Sequence, residues 1–420
     1  MVAVDPERGR IVFHPDDRPD GVWVTYHYGF PDDLGGGEYH RQIRPSAPWP
    51  GEEASGTTFF VQVSTDGPVG TLEASLEQWD AVRLTHPHAI IEITDSDVYR
   101  ERLEVALRTN ERLTIRAADG RRPVIELTDR YRNRPDALLV RSDPEHPGGC
   151  LTLDGVIVTG RALHLEGPLC EVNIRHSTLV PGWGLEHNCE PTRPSEPSIE
   201  IYNSSARICL EHSIVGAIRV RQDEVRADPV NLCVTDSVID ATSLTRPAIA
   251  GVGSPCAFVN LRLERSTVFG TVHVHSLEIA SNAIFASSLR VARRQVGCVR
   301  FSYVPDGSRT PRRYRCQPET AVQTLIEAAS LETPTRIPSD LEQNLERERV
   351  RPSFDSTRYG TPTYARLALG CAPEITHGAD DESEMGVYHD LFEPQRTANL
   401  QSRLEEFVPA GFDVGLIKSS

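Results

Sequence analysis

Aromatic residues make up only 6% of this chain, and methionine is nearly absent, with two in 420 residues. The interior must therefore be filled by Val, Ile and Leu, which stand in short runs bounded by polar residues. That is the pattern of strands rather than helices. Helices are expected only toward the two ends. No stretch of about 18 apolar residues occurs, so no membrane-spanning helix is expected. Met1 to Pro6 has neither the basic start nor the apolar core of a signal peptide. We expect the protein in the cytoplasm, or released as part of an assembled particle. An excess of positive charge is missing too. With 44 basic and 60 acidic residues the net charge is -16, a field that repels phosphate backbones and anionic lipid. Nucleic acid and membranes are not expected partners.

Cys-x-x-Cys pairs are also absent. The nine cysteines are an odd number, and several sit inside apolar runs, as in Ile208-Cys209-Leu210 and Leu232-Cys233-Val234. Buried free thiols are expected rather than a disulfide framework. At 39% hydrophobic residues and a mean hydropathy of -0.35, the chain buries a sizeable core without staples.

What the sequence does have is a repeat. Its unit reads apolar-x-x-Ser-x-apolar in Ile174–Leu179, Leu210–Val215, Val234–Ile239 and Leu263–Val268. Ile279–Ile284 follows the same form with Asn282 in the place of Ser, and Leu151–Gly160 is a version one residue shorter with Gly155 there. After each unit comes a short alternating strand: Leu163–Leu165, Ile199–Ile201, Ile218–Val220, Val272–Val274 and Leu289–Val291. A period of roughly 20 to 24 residues with variable loops is what a parallel coil tolerates, since only the stacked strands must keep register. The leucine-rich signature of similar period is missing. The expected fold is therefore all-β, a right-handed single-stranded parallel β-helix with two strands per repeat, running from about residue 88 to 316.

Around it we expect a small β unit over 1–43, with strand-like Arg10–Phe13 and Val22–Tyr28, and a linker over 44–57. The coil domain is set at 58–317, with a capping helix near 71–83. In that helix Thr71 caps, and Leu72, Leu76 and Trp79 share one face. A tail over 318–420 carries helices near Thr320–Ser330 and Asp340–Arg349 and either wraps the coil or docks on a partner. The start of the chain almost on a strand points to one portion of a longer ancestral protein.

Candidate chemistry is sparse. The positions before the repeated Ser hold Asp154, His176, His212, Asp236 and Arg265, which stacking at about 4.8 Å turns into a polar column. His176, His212 and Asp236 are candidate acid–base groups and Arg265 a candidate anion stabiliser. The plainer reading is outward residues beside a turn. Asp223, Glu224 and Asp228 are neutralised by nearby arginines, and His273 with His275 lacks a third metal ligand. In the tail, Asp380, Asp381 and Glu384 are oxygen-rich candidates for a metal, yet they lack the spacing of a Ca²⁺ loop. Gly35–Gly37 reads as a turn. No cofactor is expected.

Two regions carry a likeness to a known family. They are Val4–Phe13 with Tyr26–Phe30 and Gly35–Tyr39, and the tail from Ser356-Thr357-Arg358-Tyr359-Gly360 through Gly378–Gly386. Together they resemble the β-helix proteins encoded beside baseplate genes of bacterial phage-tail-like contractile injection systems. The resemblance implies a structural or target-contacting accessory role, with baseplate or tail proteins as partners, and brings no catalytic residues with it. The alternative is a polysaccharide lyase or hydrolase, or a carbohydrate-binding β-helix, acting on a surface glycan. A third reading is a solenoid that assembles as a trimer.

Overall fold

The computed structural model describes residues 3–5, 10–14, 19, 32–42, 58–127, 138–142, 145–225, 227–332 and 336–408. The expected strand Val22–Tyr28 and the linker Arg44–Ser55 lie outside the described residues. Ala3–Asp5 pairs antiparallel with Arg10–Val12. From Thr58 onward the chain winds into a parallel β-solenoid. No helix of the described residues is long and apolar enough to cross a membrane.

Each turn visits three faces in a fixed order. One turn, for example, places Arg207–Glu211 on the first face, Ile214–Gly216 on the third and Ile218–Arg221 on the second. The next repeats this with Val230–Thr235, Val238–Asp240 and Pro247–Gly251. Every such strand pairs in parallel with its counterparts one turn away. The first and second faces are joined into one sheet of 18 strands because Thr271–Ser281 runs continuously from one to the other; the third face is a separate sheet of 8. The coil starts at Thr58–Val63, which pairs with His88–Ile93, and its last strand is Arg312–Tyr314.

Inward Val, Ile and Leu from all three faces fill one continuous core from Val63 to Cys316. Between Thr58–Val63 and His88–Ile93 lies helix α1 (Leu72–Val82), which Thr71 caps by accepting the Ala74 N–H. Its Leu72 and Trp79 join that core, as the spacing on one helix face requires. Beyond the last turn come α2 (Glu319–Glu332) and α3 (Asp340–Arg349), the latter opened by a Ser339/Glu342 capping box. Residues 351–392 then run back along the third face with a short α4 (Pro373–Thr376), and α5 (Glu393–Phe407) ends the described chain.

The repeat reads differently in three dimensions. Ile174–Leu179 is a corner rather than one strand: Glu171–Arg175 ends the first face and Thr178–Leu179 belongs to the third. Three strands therefore recur per turn instead of two. Between them stands a residue in the left-handed region, His176 (φ 44°), His212 (48°), Asp236 (48°), Arg265 (43°) or Asn282 (55°). Register also corrects the two irregular repeats. Asp154 pairs with Arg175 and Ile157 with Thr178, so Gly155 shares the place of His176, and Asp154 stands one step before the column. Likewise Ser281 pairs with Glu264, which puts Asn282 level with Arg265. The conformation explains the residues: glycine and asparagine enter the left-handed region most easily. Val156 and Ala283 take the serine place instead.

The serine follows because the corner needs it. Ser177, Ser213, Ser237 and Ser266 are all 0% exposed. Each hydroxyl donates to the carbonyl two residues back, at Arg175 (2.7 Å), Glu211 (2.8 Å), Thr235 (2.7 Å) and Glu264 (2.7 Å). Each also accepts an N–H from the neighbouring corner: Val156 donates to Ser177, Ser177 to Ser213, Ser213 to Ser237 and Ser237 to Ser266, at 3.0 to 3.3 Å. A buried hydroxyl ladder thus holds successive corners together where a backbone bend would leave amides unpaired.

The later third-face strands are buried on both sides, as in Ile214–Gly216 and Val238–Asp240, whereas Val98–Glu101 and Val124–Leu127 alternate. Segment 32–42, expected within a separate unit, lies against this face, and so does the tail. The cysteines also depart from expectation. Cys209 and Cys233 are not buried, because they alternate with inward Ile208, Leu210, Leu232 and Val234 and so point outward. Of the nine, Cys150, Cys316 and Cys371 are buried.

Ser237→Ala removes both a donor and an acceptor from the ladder: the Ser213 N–H loses its partner, and the Thr235 carbonyl keeps only the His212 N–H. We expect a loss of about 1–3 kcal/mol in urea unfolding; a change below about 0.5 kcal/mol contradicts the ladder's role.

Candidate functional site

The left-handed corners stack His176, His212, Asp236, Arg265 and Asn282 into a column along the edge between the first and third faces. The structure therefore brings together the four candidate catalytic residues. It also supplies a simpler cause for their chemistry. His, Asp and Asn are the non-glycine residues that best tolerate the left-handed region, so a polar column is what this corner selects.

Most of the column is partnered. The His176 and His212 rings stack at 4.9 Å with 25° between planes. Asp236 receives two hydrogen bonds from the Arg265 guanidinium, at 2.6 and 2.8 Å, a planar bidentate pair. Asn282 donates to Asp380 Oδ1 (2.6 Å) and accepts the Asp380 N–H (3.2 Å).

Chain ends supply the remaining partners. The Tyr39 hydroxyl donates to the Gly35 carbonyl and meets His176 Nδ1 at 3.1 Å. Burial first, then the neighbouring His212, lowers the His176 pKa to about 4, so the ring is neutral at pH 7. Over Gly155, where the column lacks a side chain, lies the Arg41 guanidinium. A Cβ on Gly155 would come within 2.3 Å of it. Arg41 donates to the Ala117 carbonyl (2.7 Å) and pairs with Asp154 at 3.3 Å, both side chains being almost wholly buried. Sequence reasoning missed Tyr39 and Arg41. The signal was the glycine that interrupts the column.

One polar atom in the column has no partner among the described residues: His212 Nδ1, which is buried. Beside it stands Asp32. Burial raises the Asp32 pKa, against the Asp33 N–H it accepts and the pull of His212.

Further along, the tail covers the third face. Leu34, Ile214, Val238, Phe269, Tyr364, Val387 and Tyr388 form one apolar cluster, and Ile284, Tyr303, Leu367, Ile375 and Met385 another. Gly386 donates to the Asn282 carbonyl (2.8 Å) and Val387 N–H to Thr267 Oγ1 (3.1 Å). Tyr364 donates its hydroxyl to Asp240 Oδ2 at 2.7 Å, with both groups buried.

The expected oxygen cluster of the tail is rearranged. Asp380 and Asp381 do come together, but their third neighbour is His389, while Glu384 turns inward and is 1% exposed. The cause is Glu382, whose left-handed backbone (φ 67°) reverses the chain between them. His389 Nδ1 lies 2.8 Å from Ser383 Oγ and 3.0 Å from the Glu384 carbonyl; its Nε2 lies 3.3 Å from Asp381. A Ser–His–Asp set results, yet Ser383 is 0% exposed and its Oγ is also 3.2 Å from Nε2. It sits across the ring edge, out of reach of a substrate, and serves the tail's own fold. His273 and His275 point outward, with His275 packed edge-on against Phe258 at 4.6 Å. No family model, no curated protein and no solved structure matches the chain.

Asp240 gives the site a pH dependence. Burial pushes its carboxyl up to about 6, against the hydrogen bonds from Tyr364 and the Thr242 N–H. Unfolded, it titrates near 4. Between those values the folded state holds a proton that the unfolded state has released, so stability falls as pH rises from about 4 to about 6 and then levels. Measured as wild type minus Asp240→Asn in urea, the difference should drop by about 2–3 kcal/mol over that window. A flat or rising difference contradicts it.

Proposed function

We propose that this protein is a non-enzymatic structural or target-binding accessory of a phage-tail-like contractile injection particle, with the coil as a rigid spacer and the C-terminal tail as its docking element. In this reading the coil is right-handed, as crossovers between parallel strands nearly always are, and α1 is the lid over its first turn. The observation that carries the reading is how the two ends are used. The column where an enzyme of this architecture would work is filled by Tyr39, Arg41 and Asp380 and by its own ion pair. Catalytic groups are of use when they meet a substrate, and these meet each other.

The tail, once laid along the third face, continues into α5, whose apolar residues face solvent: Leu400 is 48% and Phe407 80% exposed. Leu400, Leu404 and Phe407 recur at i, i+4 and i+7, the anchor pattern of a helix that docks in a groove. Two of the segments that resemble the injection-system family, Gly35–Tyr39 and the tail through Gly386, belong to the parts of the chain that lie over the third face.

A sedimentation experiment tests this. The full chain should co-sediment with assembled particles, a chain lacking 393–420 should stay in the supernatant, and His212→Ala and Asp236→Ala should sediment as wild type. A protein that stays soluble and depolymerises a surface glycan, with activity lost in His212→Ala, would establish the carbohydrate-active alternative instead.

A further inference from the structure

The outward side of the first face carries two thiols that no structural role uses. Cys209 and Cys233 are register partners on adjacent parallel strands. Strands in a sheet lie about 4.8 Å apart, so the two side chains leave the sheet side by side and in the same direction. Both are partly exposed. The same row of the sheet continues from Asn173 through Cys209 and Cys233 to Arg262. Arg207, two residues before Cys209 and also outward, interacts with both sulfurs. The pair therefore sits between two guanidinium groups with no carboxylate in its row. Arg262 is already engaged by Glu264 and Glu278, which leaves Arg207 the larger share of the field.

We propose that Cys209 and Cys233 form a hydroperoxide-reactive dithiol, in which Cys233 is the attacking sulfur and Cys209 the resolving one. Cationic neighbours and partial exposure are the environment that favours a thiolate. Within the pair, Cys209 faces the neutral Asn173 and Cys233 faces Arg262, whose charge Glu264 and Glu278 share, so the row is more cationic on the Cys233 side. The electrostatics agree in direction. The hydrogen bond from Cys209 and then Arg207 lower the Cys233 thiol to about 6 against burial, while Cys209 is raised, first by that hydrogen bond and then by burial. The two share one proton.

The chemistry balances in two steps. The Cys233 thiolate attacks the peroxide and breaks its O–O bond, leaving a sulfenic acid and an alkoxide or hydroxide that takes up a proton; sulfur loses two electrons and the peroxide gains them. The Cys209 thiol then displaces the sulfenic hydroxyl, which leaves as water as the disulfide forms. Two equivalents of a small-molecule thiol then restore the dithiol by exchange, the first forming a mixed disulfide and the second releasing it as the small molecule's own disulfide. In-register Cα atoms near 4.8 Å fall within the range a disulfide spans. Their parallel Cβ atoms stay somewhat farther apart than the roughly 3.5–4.5 Å a relaxed bridge prefers. Such a bridge closes under strain and is easily reduced, which suits a reversible switch rather than a staple.

A second pair supplies the internal control. Cys150 and Cys170 lie close together on neighbouring turns, but burial pushes Cys150 up to about 12, and burial with Glu171 raises Cys170. They are expected to be inert.

The test uses the full native chain and hydrogen peroxide. Digestion and mass spectrometry should find a Cys209–Cys233 cross-link that disappears with dithiothreitol, at a dose leaving Cys150 and Cys170 unmodified. In Cys209→Ser, dimedone should trap a sulfenic acid at Cys233, whereas Cys233→Ser should leave Cys209 unlabelled. Arg207→Gln should move the pH midpoint of Cys233 alkylation by iodoacetamide up by about one unit, which slows the reaction roughly tenfold at about pH 5 and roughly twofold at about pH 7. Circular dichroism verifies that each variant folds. The inference fails if the wild-type cross-link is absent, if Cys150 and Cys170 oxidise as fast as this pair, or if the Arg207→Gln midpoint does not move.

Discussion

Everything in this fold hangs on the corner where the first face turns into the third. A β-strand cannot bend sharply without breaking its ladder, and each bend threatens to strand a buried amide and a carbonyl. Here the bend is made by one residue in the left-handed region, and the fully buried serine after it repairs the hydrogen bonding. Ser177, Ser213, Ser237 and Ser266 each join a carbonyl of their own turn to an N–H of the neighbouring one. The corners therefore stack in register, and the strands between them follow.

That corner also makes the column. Most of these left-handed positions carry a side chain, and His, Asp and Asn, which tolerate the conformation best, are polar; Gly155 and Phe301 are the departures. His176, His212, Asp236, Arg265 and Asn282 accordingly form a line of chemistry-bearing groups without any catalytic demand. Their proximity then requires pairing: unmatched charges at a half-buried edge cost free energy. The Asp236–Arg265 fork, the stacked histidines and the contacts from Tyr39, Arg41 and Asp380 meet that requirement.

Covering the third face follows from the same geometry. From Ile157 onward its strands are two or three residues long and mostly buried on both sides, as in Ile214-Val215-Gly216. One side faces the core and the other would meet water. Segment 32–42 and the tail lie over that side, with Leu34, Tyr364 and Tyr388 against Ile214, Val238 and Phe269. The first face is different. Its outer residues are polar, and it is there that the Cys209–Cys233 pair stands beside Arg207.

The sequence alone determined that the chain is a parallel coil and where α1, α2 and α3 form, because these depend on local periodicity and capping. The six-residue repeat, Thr71 and Ser339 are signals read within one stretch of chain. It also named the column, since like residues recur at like places in a repeat. What tertiary structure alone decided was the phase and the neighbours. A pattern of apolar residues cannot show that Ile174–Leu179 bends in the middle, or that Gly155 and Asn282 belong to the corner rather than to the serine ladder, because backbone handedness is absent from composition. Nor can it show that Cys209 points outward beside Cys233, that Tyr39 and Arg41 reach residues more than a hundred positions away, or that His389 replaces Glu384 beside Asp380. Those contacts arise only when stacking sets one turn upon the next and the two ends find the face left bare.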